Sequence, residues 1–521
     1  MTGYPPPVEY LQIAPLIAVF LGGCLGVGLE AFVPRGKRAV PQVLLTLLVI
    51  LIALGFTVFS WSRGNELIGA LGSLALDGPT RFIWAILLVL TALSVLVFAE
   101  RRVGGGATGF TPQAATVPGT PSEQAAIQAR LEHTEIYPLL LFALTGMMLF
   151  PASNDLLTMF VALEIMSLPL YLMCGMARRR RLLSQEAALK YFLLGALSSA
   201  FFLYGVALIY GYSGSFILGE ISASLASSST GSPALLLGGM GLLAIGLLFK
   251  VSAVPFHSWT PDVYQGAPTP VTGFMAACTK IAAVGALLRV FFVGFGGARW
   301  DWQPLMAAVA VLTMAVGSLL AITQTDIKRM LAYSSIAHAG FLLTAITGAA
   351  QPSAGITGGI TSVSAVLFYL AAYGVATIAA FALVTTVRNE GGEVTALAGW
   401  SGLAKRSPGT AAAMALLLLS FAGIPLTSGF IGKWAVFVTA WRGGFAWLVV
   451  VAVVMSLVAA YFYLRLIVLM FFSPAAEDTR VVRSSWLTLG TVVVGCVLTV
   501  LLGILPGPLL ELAASAREFL R

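Results

Sequence analysis

Residues 249–289 read FKVSAVPFHSWTPDVYQGAPTPVTGFMAACTKIAAVGALLR, and this stretch predicts a helical membrane protein with charged groups in its interior. It holds two apolar runs with one lysine each, Lys250 and Lys280, joined by a proline-containing segment. A lysine at the centre of a membrane helix costs about 2.5–3.5 kcal/mol on insertion scales, so such residues usually line a pathway or pair with one another. The stretch therefore indicates membrane insertion together with ion or proton movement.

The rest of the chain has the same apolar character. Of its 521 residues, 59% are hydrophobic and only 10% are charged, whereas soluble domains carry about 25% charged residues. Apolar runs long enough to cross a hydrocarbon core of about 30 Å recur from end to end. We therefore predict an all-α polytopic membrane protein with about fourteen transmembrane helices.

Clusters of lysine and arginine predict how the chain is oriented. If the helices alternate in direction, every cluster falls on one side, and the opposite loops hold only scattered single arginines. The clusters are Arg35/Lys37/Arg38, Arg101/Arg102, Arg178–Arg181, Lys328/Arg329, Lys405/Arg406 and Arg480/Arg483. The positive-inside rule makes this side cytoplasmic and places both termini outside, in the periplasm. Orientation thus accounts for the net charge of +8, and nucleic-acid binding is not expected.

Ionisable residues inside the predicted spans are the candidates for function. They are Glu164, Lys190, Lys250, Lys280, His338 and Lys433. Burial disfavours the charged form of a lysine, and a nearby carboxylate restores it. If Glu164 moves toward or away from Lys250, that lysine takes up or releases a proton. A file of such groups joined by water is a candidate proton relay.

Each cation of this set also has a structural interpretation. Lys190 lies near a helix start, from which its amine can reach the cytoplasmic interface. Lys250, Lys280 and Lys433 lie deeper and can form buried ion pairs that hold helices together. His338 can equally be a hydrogen-bonded core residue.

Three further charges have expected partners. Glu164 is expected to be paired, because an isolated carboxylate is costly in the membrane. Arg289 and Arg465 lie nearer helix ends and are expected to contact headgroups or backbone. These two arginines are therefore left out of the relay.

Two of the lysines lie close to predicted helix breaks. The break-forming residues are Pro255 in helix 7 and Pro425, Gly429 and Gly432 in helix 12. Proline frees backbone groups, which is tolerated at membrane depth only where protein or a water-filled cavity satisfies them. Paired broken helices mark the ion path in transporters with inverted repeats. The spacing of five helices predicts two inverted five-helix repeats, helices 4–8 and 9–13, and ordinary kinks are the alternative.

The predicted organisation follows from these elements. The parts are helices 1–3 (residues 1–102), a cytoplasmic Gly/Pro/Thr-rich loop (103–135), a first repeat (136–296), a second repeat (297–472), and helix 14 with the C-terminus (473–521). The four cysteines fall in apolar segments without CxxC spacing, so no metal site or disulfide is expected. No Rossmann glycine fingerprint opens a helix after a strand.

At these residues the chain resembles a known family. The stretch 249–289, together with ALEIMSLPLYLM, EAALKYFLLGALSSAFFLYG, QTDIKRMLAYSSIAHAGF and AGIPLTSGFIGKW, resembles the antiporter-like membrane subunits of bacterial respiratory complex I, with subunit N the nearest pattern. The related subunit M carries a glutamate at the helix 12 position where this chain has Lys433. Subunit L extends into a long lateral helix beyond helix 14, for which this chain stops too soon.

The resemblance implies roles for the buried charges. Glu164 would be the helix 5 glutamate and Lys250 its helix 7 partner. Lys190 would be the helix 6 lysine, Lys280 the central helix 8 lysine, and Lys433 the helix 12 lysine near the periplasmic exit.

The resemblance also implies a proton-translocating subunit of an NADH:quinone oxidoreductase of the bacterial inner membrane. NADH, FMN, iron–sulfur clusters and quinone would be used by partner subunits, and this chain would bind no cofactor and do no redox chemistry. Its neighbours would be small J/K-type subunits and subunit M. A subunit of an Mrp-type cation/proton antiporter is the alternative function, and a non-pumping membrane scaffold is the third.

Overall fold

The computed structural model describes residues 10–64, 66–110, 120–129, 133–227, 232–349, 360–476, 478–516 and 518–520. Helices make up most of these ranges. The helices are α1 (Tyr10–Phe32), α2 (Ala39–Ser62), α3 (Gly78–Phe98), α4 (Pro121–Gln128), α5 (Ile136–Ala152), α6 (Leu156–Cys174), α7 (Arg181–Ser213), α8 (Leu218–Ala226), α9 (Pro233–Val251), α10 (Trp259–Gly266), α11 (Thr269–Phe274), α12 (Lys280–Arg289), α13 (Arg299–Ile322), α14 (Ile327–Thr347), α15 (Ser362–Thr386), α16 (Leu403–Arg406), α17 (Pro408–Ala422), α18 (Ser428–Arg442), α19 (Ala446–Phe472), α20 (Trp486–Ile504) and α21 (Gly507–Ser515).

Short strands decorate the ends of the bundle. They are β1 (Leu67–Gly69), β2 (Leu74–Leu76), β3 (Val387–Asn389), β4 (Gly392–Glu393) and β5 (Arg480–Val481). β1 pairs with β2, and β3 lies between β4 and β5, all antiparallel.

The number of spans agrees with the prediction of about fourteen. Within the described residues, twelve helices are long and apolar enough to cross a membrane. The 17-residue α5 is a thirteenth apolar helix, and the two halves α17 and α18 together form the fourteenth crossing. The all-α polytopic fold is confirmed.

Two helices are broken where the sequence predicted it. α9 ends at Val251 because Ser252 adopts a left-handed φ of 68° and Pro255 follows. α17 ends at Ala422 before Gly423, which has a φ of 84°, and the chain resumes as α18 after Pro425. Both breaks lie in the fourth span of a five-helix repeat.

A repeated local motif marks the two inverted repeats. Asp155 caps the N-terminus of α6, the second helix of the first repeat, and Asp326 caps α14, the second helix of the other. Each aspartate also forms a β-bridge to the chain that follows the next helix, Asp155 to Ile217 and Asp326 to Ala396. Because α6 and α14 are the fifth and tenth spans, alternation places these motifs on opposite faces, as inversion requires.

Loops on one face contact one another. These loops, which we call the basic face because they carry the Lys/Arg clusters, include 99–110, 175–180, 387–396 and 480–485. Arg179 donates to the carbonyl of Gly391 at 2.7 Å, and the Ser485 hydroxyl donates to Glu100 at 2.6 Å. The predicted alternation therefore holds, since the loops that it assigns to one side meet there.

Part of the 103–135 loop packs on this face. Pro121–Gln128 forms α4, in which Glu123 is buried and accepts from Arg178 Nε at 2.8 Å. Residues 111–119 and 130–132 lie outside the described part. The linker-like composition of this loop did not predict the helix. It did not predict the ion pair either, because Arg178 lies 55 residues from Glu123 in the sequence.

The core lies in three central spans. Thr269–Gly294, Ile327–Thr347 and Ser362–Thr386 are each 94% buried over their most apolar stretch, against 28–33% for α1, α2, α19 and α20. Glycines let neighbouring helices approach closely: a Cβ on Gly146 would lie 2.2 Å from the backbone nitrogen of Met166. The outer helices thus face lipid and shield a core that carries polar groups.

A buried ion pair holds the face opposite the basic face. Arg289 is fully buried, and its Nη2 donates to Asp77 and to the Thr80 hydroxyl, each at 2.8 Å, while Nε donates to the carbonyl of Pro151 at 2.6 Å. Of the two expected contacts, headgroups or backbone, the structure has the backbone contact, and it adds an ion pair with Asp77. Sequence alone does not reveal that Asp77 lies beside a residue 212 positions away. Arg465 donates to the carbonyl of Ile322, in agreement with a backbone contact.

Removing the Arg289 side chain should destabilise the chain strongly. Arg289→Ala leaves Asp77 charged and buried without its cation, a change that costs about 3–5 kcal/mol. Arg442→Ala, at an exposed arginine on the same face, is the control and should stay within about 0.5 kcal/mol of the wild type. Unfolding of the purified chain in detergent measures both, and equal stabilities would contradict this role of the pair.

Candidate proton-relay site

Lys250 is buried in the last turn of α9, with 2% of its surface exposed. Its amine donates to the Ser167 hydroxyl on α6 at 2.7 Å. The rings of Tyr171, Tyr191 and Phe249 surround it, with centroids 5.5–5.7 Å from Nζ. One hydroxyl and three aromatic faces thus solvate this cation.

Glu164 lies one turn before Ser167 on α6. Within the described residues its carboxylate makes no ion pair, and Oε1 is buried without a hydrogen-bond partner. The predicted direct partner is therefore wrong for this conformation. Glu164 is linked to Lys250 through Ser167, one turn later on α6, whose hydroxyl accepts from Nζ. When a carboxylate lies near a lysine without touching it, a small change in the distance between them changes their electrostatic interaction energy.

Lys190 lies apart from the buried groups, with 41% of its side chain exposed. Its amine contacts Glu186 at 2.6 Å and Asp262 at 2.7 Å. Asp262 also accepts from Arg329 Nη1 at 2.6 Å. Since Asp262 belongs to the first repeat and Arg329 to the second, this network ties the two repeats together.

Lys280 lies at the centre of the core, directly after a π-helical turn, Met275–Thr279. Such turns are frequent at functional sites in helices. Its amine donates to the hydroxyl and carbonyl oxygens of Ser335 on α14, the former at 2.6 Å. The Tyr373 ring of α15 lies 5.1 Å from Nζ. No carboxylate lies within ion-pair distance in the described chain, so an ion-pair role is not supported for this lysine.

His338 connects the central groups. Its Nδ1 is 2.6 Å from the Tyr369 hydroxyl and its Nε2 is 3.3 Å from that of Tyr463, which in turn contacts the Ser334 hydroxyl. Its ring also lies 4.8 Å from that of Tyr373, the residue beside Lys280. Both ring nitrogens therefore have hydroxyl partners, which allows proton exchange on either side.

Lys433 lies beside the break in helix 12. Its amine donates to the Ser456 hydroxyl at 2.8 Å and to the carbonyl of Ala422, the last residue of α17, at 3.0 Å. The break frees this carbonyl from its helical partner. Glycine is favoured at 423 because its φ of 84° is left-handed, and a Cβ there would also lie 2.9 Å from the Lys433 side chain.

A small cavity separates His338 from this break. Its volume is ≈ 10 Å³, and its lining includes Tyr369, Tyr373, Ser428 and Gly429. The buried Ser428 hydroxyl has no hydrogen-bond partner in the described part of the chain. A cavity of about 10–15 Å³ with several polar groups holds one water.

The structure brings together five of the six predicted residues in two groups. Glu164 and Lys250 form the first group. Lys280, His338 and Lys433 form the second, since the Tyr373 ring lies beside both Lys280 and His338, and the Phe341 ring lies beside both His338 and Lys433. The aromatic residues Tyr191, Trp259 and Tyr264 fill the space between the groups, with the first two stacked at 4.6 Å.

Sequence reasoning missed several polar partners. Tyr369, Tyr373 and Tyr463 were not singled out, because an aromatic residue in an apolar helix gives no signal of its own. Lys328 was assigned to orientation, yet it is 3% exposed and donates to the carbonyl of Ala267 at 2.7 Å. Its position two residues after the cap Asp326, followed by an apolar run, was the available signal.

Comparisons with known proteins agree with this architecture. The family model described as NADH:quinone oxidoreductase/Mrp antiporter, TM, matches residues 153–459. The chain is 54% identical to NADH-quinone oxidoreductase subunit N of Nocardioides sp., over 99% of both chains.

Two solved structures share the fold. A chain of respiratory complex I from Thermus thermophilus has a TM-score of 0.77 and 35% identity, over 96% of this chain and 100% of that one. A chain of the Mrp complex from Dietzia sp. has a TM-score of 0.80 at 23% identity, over 97% of both, which shows the fold alone. The family match covers more than half of the chain, and the chain therefore belongs to the NADH:quinone oxidoreductase/Mrp antiporter membrane subunits, as a member of the subunit N group of NADH-quinone oxidoreductases.

Proposed function

We propose that this chain moves protons across the bacterial inner membrane as the subunit N of an NADH:quinone oxidoreductase, without redox chemistry of its own. The observation that carries the proposal is a set of three buried lysines, Lys250, Lys280 and Lys433, whose amines each donate to a serine hydroxyl. The amines of Lys250 and Lys280 each donate to a serine hydroxyl, and no carboxylate lies within ion-pair distance of Lys280 in the described chain. A scaffold that only needed ion pairs would have placed carboxylates there.

The Mrp-type antiporter remains the alternative, and sequence identity favours the first function. Identity is 35% to the complex I chain and 23% to the Mrp chain over nearly equal lengths. NADH, FMN, iron–sulfur clusters and quinone then belong to partner subunits, and small J/K-type subunits and subunit M are the proposed neighbours.

The proposed route has two buried segments. Approach of Glu164 stabilises the charged form of Lys250, and its withdrawal favours proton release. The second segment runs from Lys280 through His338 to Lys433, with water bridging the steps that lack direct hydrogen bonds. Lys190 lies in the exposed network with Asp262, and we assign it to holding the repeats together.

Replacing buried lysines with arginine separates a relay from a structural charge. Arginine keeps the positive charge but is not deprotonated in proteins. We expect Lys280→Arg and Lys250→Arg to lower proton pumping in the assembled complex by roughly tenfold or more, which corresponds to about 1.4 kcal/mol in a barrier. The measurement is proton uptake per NADH oxidised in vesicles.

The control for these variants is Lys405→Arg, at an exposed lysine of the basic face. It should pump as the wild type does, and assembly is checked by co-purification of the other subunits. Normal pumping by either buried variant would eliminate the relay role of that lysine.

His338 provides a second test of the relay. His338→Gln keeps a side chain that can hydrogen-bond Tyr369 but cannot carry a proton near neutral pH. We expect a several-fold loss of pumping with unchanged assembly, whereas a purely structural histidine would tolerate glutamine. Proton uptake by assembled complex decides between the two.

The orientation also has a direct test. We expect Trp300→Cys, exposed on the face opposite the basic face, to react in intact cells stripped of their outer membrane with a maleimide that cannot cross the membrane. Lys405→Cys should react only after the membrane is opened. The background replaces Cys24 and Cys496 with serine, since the other two cysteines are buried. The reverse pattern would place the termini in the cytoplasm.

A further inference from the structure

A cavity of ≈ 90 Å³ opens on the basic face. It lies between the loop after α3, the segment before α7, the α10–α11 junction and the β3–β4 hairpin. Its charged lining residues are Glu100, Arg178, Arg179, Arg180, Lys328, Arg388 and Glu393. At about 10–15 Å³ per water, this volume holds about six to nine waters, or one group the size of a phosphate. The proposed relay does not use this cavity.

The two carboxylates of the lining already have partners. Burial works to raise the pKa of Glu100, but hydrogen bonds from Ser485 and Thr488 outweigh it and hold that pKa below its usual range, so the group is an anion committed to Ser485. Glu393 accepts from the Thr269 hydroxyl at 2.5 Å.

Most of the cations lack a matching anion. Arg178 pairs with Glu123 at 2.8 Å. In the described chain, no carboxylate lies within ion-pair distance of the other four cations, which are Arg179, Arg180, Lys328 and Arg388. Partly buried cations without a counter-charge are costly. The cavity lining therefore has an excess of positive charge, which binding of an anion would reduce.

Arg388 is the cation for which this excess of positive charge is clearest. It is half-buried, and its pKa is lowered by burial, while Glu393 acts in the opposite sense and the nearby Arg179, Arg178 and Arg480 lower it further. Three like charges thus act on one guanidinium, and repulsion among them is relieved if an anion enters.

Two arginines are already held in place at the cavity wall. Arg179 donates through Nη1 to the carbonyl of Gly391 at 2.7 Å, while its buried Nε has no partner in the described residues. Arg180 donates through Nη1 to the Thr395 hydroxyl at 2.8 Å. Fixed guanidinium groups lose little entropy on binding and match phosphate oxygens in pairs.

We propose that this cavity binds one phosphate-type group, supplied by the headgroup of an anionic phospholipid or by free phosphate. Basic pockets on the cytoplasmic side of membrane proteins bind anionic headgroups. The residues that follow Phe110 in the sequence, TPQAATVPG at 111–119, include no charged side chain. A concave site of this small volume also suits a compact tetrahedral anion better than an extended acidic chain.

Thermal unfolding of the full chain in nanodiscs tests the proposal. One arm adds inorganic phosphate to discs of phosphatidylcholine, and the other compares these discs with phosphatidylcholine and phosphatidylglycerol at roughly four to one. A ligand that binds only the folded state raises Tm as its concentration rises. A rise in the first arm identifies free phosphate as sufficient, and a rise confined to the second identifies the lipid.

The variants Arg388→Gln and Arg179→Gln locate the binding. Each removes a charge-assisted contact, which weakens Kd by about ten- to hundredfold. Arg483→Gln removes an exposed charge of the same face outside the cavity and should change Kd by less than about twofold. Without ligand, Arg388→Gln should unfold at or above the wild-type Tm because repulsion is relieved.

Two results would overturn the proposal. The first is no rise in Tm of the wild-type chain with either probe, which would leave an acidic segment of a neighbouring subunit, or water, as the occupant. The second is an equal loss of binding in Arg483→Gln and in both cavity variants, which would reduce the effect to the general charge of the face. If Arg388→Gln does not fold, Arg179→Gln carries the comparison.

Discussion

The structure depends on keeping charged amines out of contact with lipid. Lys250, Lys280 and Lys433 are buried within the membrane-spanning region, and protein hydroxyls, carbonyls and aromatic rings solvate their amines. Such solvation requires several helices around each amine, because one helix cannot surround its own side chain. The central spans are therefore almost completely buried, and the outer helices face the lipid.

The same constraint explains why the helices break where they do. Inside an intact helix each carbonyl already accepts from the residue four positions on, and a cation there shares that acceptor, as Lys280 does at Ser335 of α14; a break leaves carbonyls without a helical donor. The break leaves the carbonyl of Ala422 without a helical donor, and the Lys433 amine donates a hydrogen bond to it. At the equivalent break of the first repeat, Lys250 lies in the last turn of α9. Its amine donates a hydrogen bond to Ser167 on α6 rather than to a backbone carbonyl. The break in helix 12 thus supplies a hydrogen-bond acceptor to its lysine, whereas a side chain of another helix supplies the acceptor for Lys250.

Charges at the two faces have different tasks. Opposite the basic face, the Asp77–Arg289 pair is fully buried and satisfied, so it fixes packing. On the basic face, cations exceed anions around a cavity, and the excess favours binding of a further group. The described residues thus contain buried charge of two kinds: a fully paired Asp77–Arg289 bridge, and lysines or arginines without a carboxylate within ion-pair distance.

The sequence by itself determined the class of fold, the count of spans, the two breaks and the buried lysines, because apolar run length, proline and intramembrane charge are local signals. Only the tertiary structure decided which groups meet. Arg289 pairs with Asp77, Glu164 forms no ion pair within the described residues, and Lys190 contacts Asp262 in a half-exposed network. Those outcomes depend on the approach of segments tens to hundreds of residues apart, which no local pattern of side chains encodes.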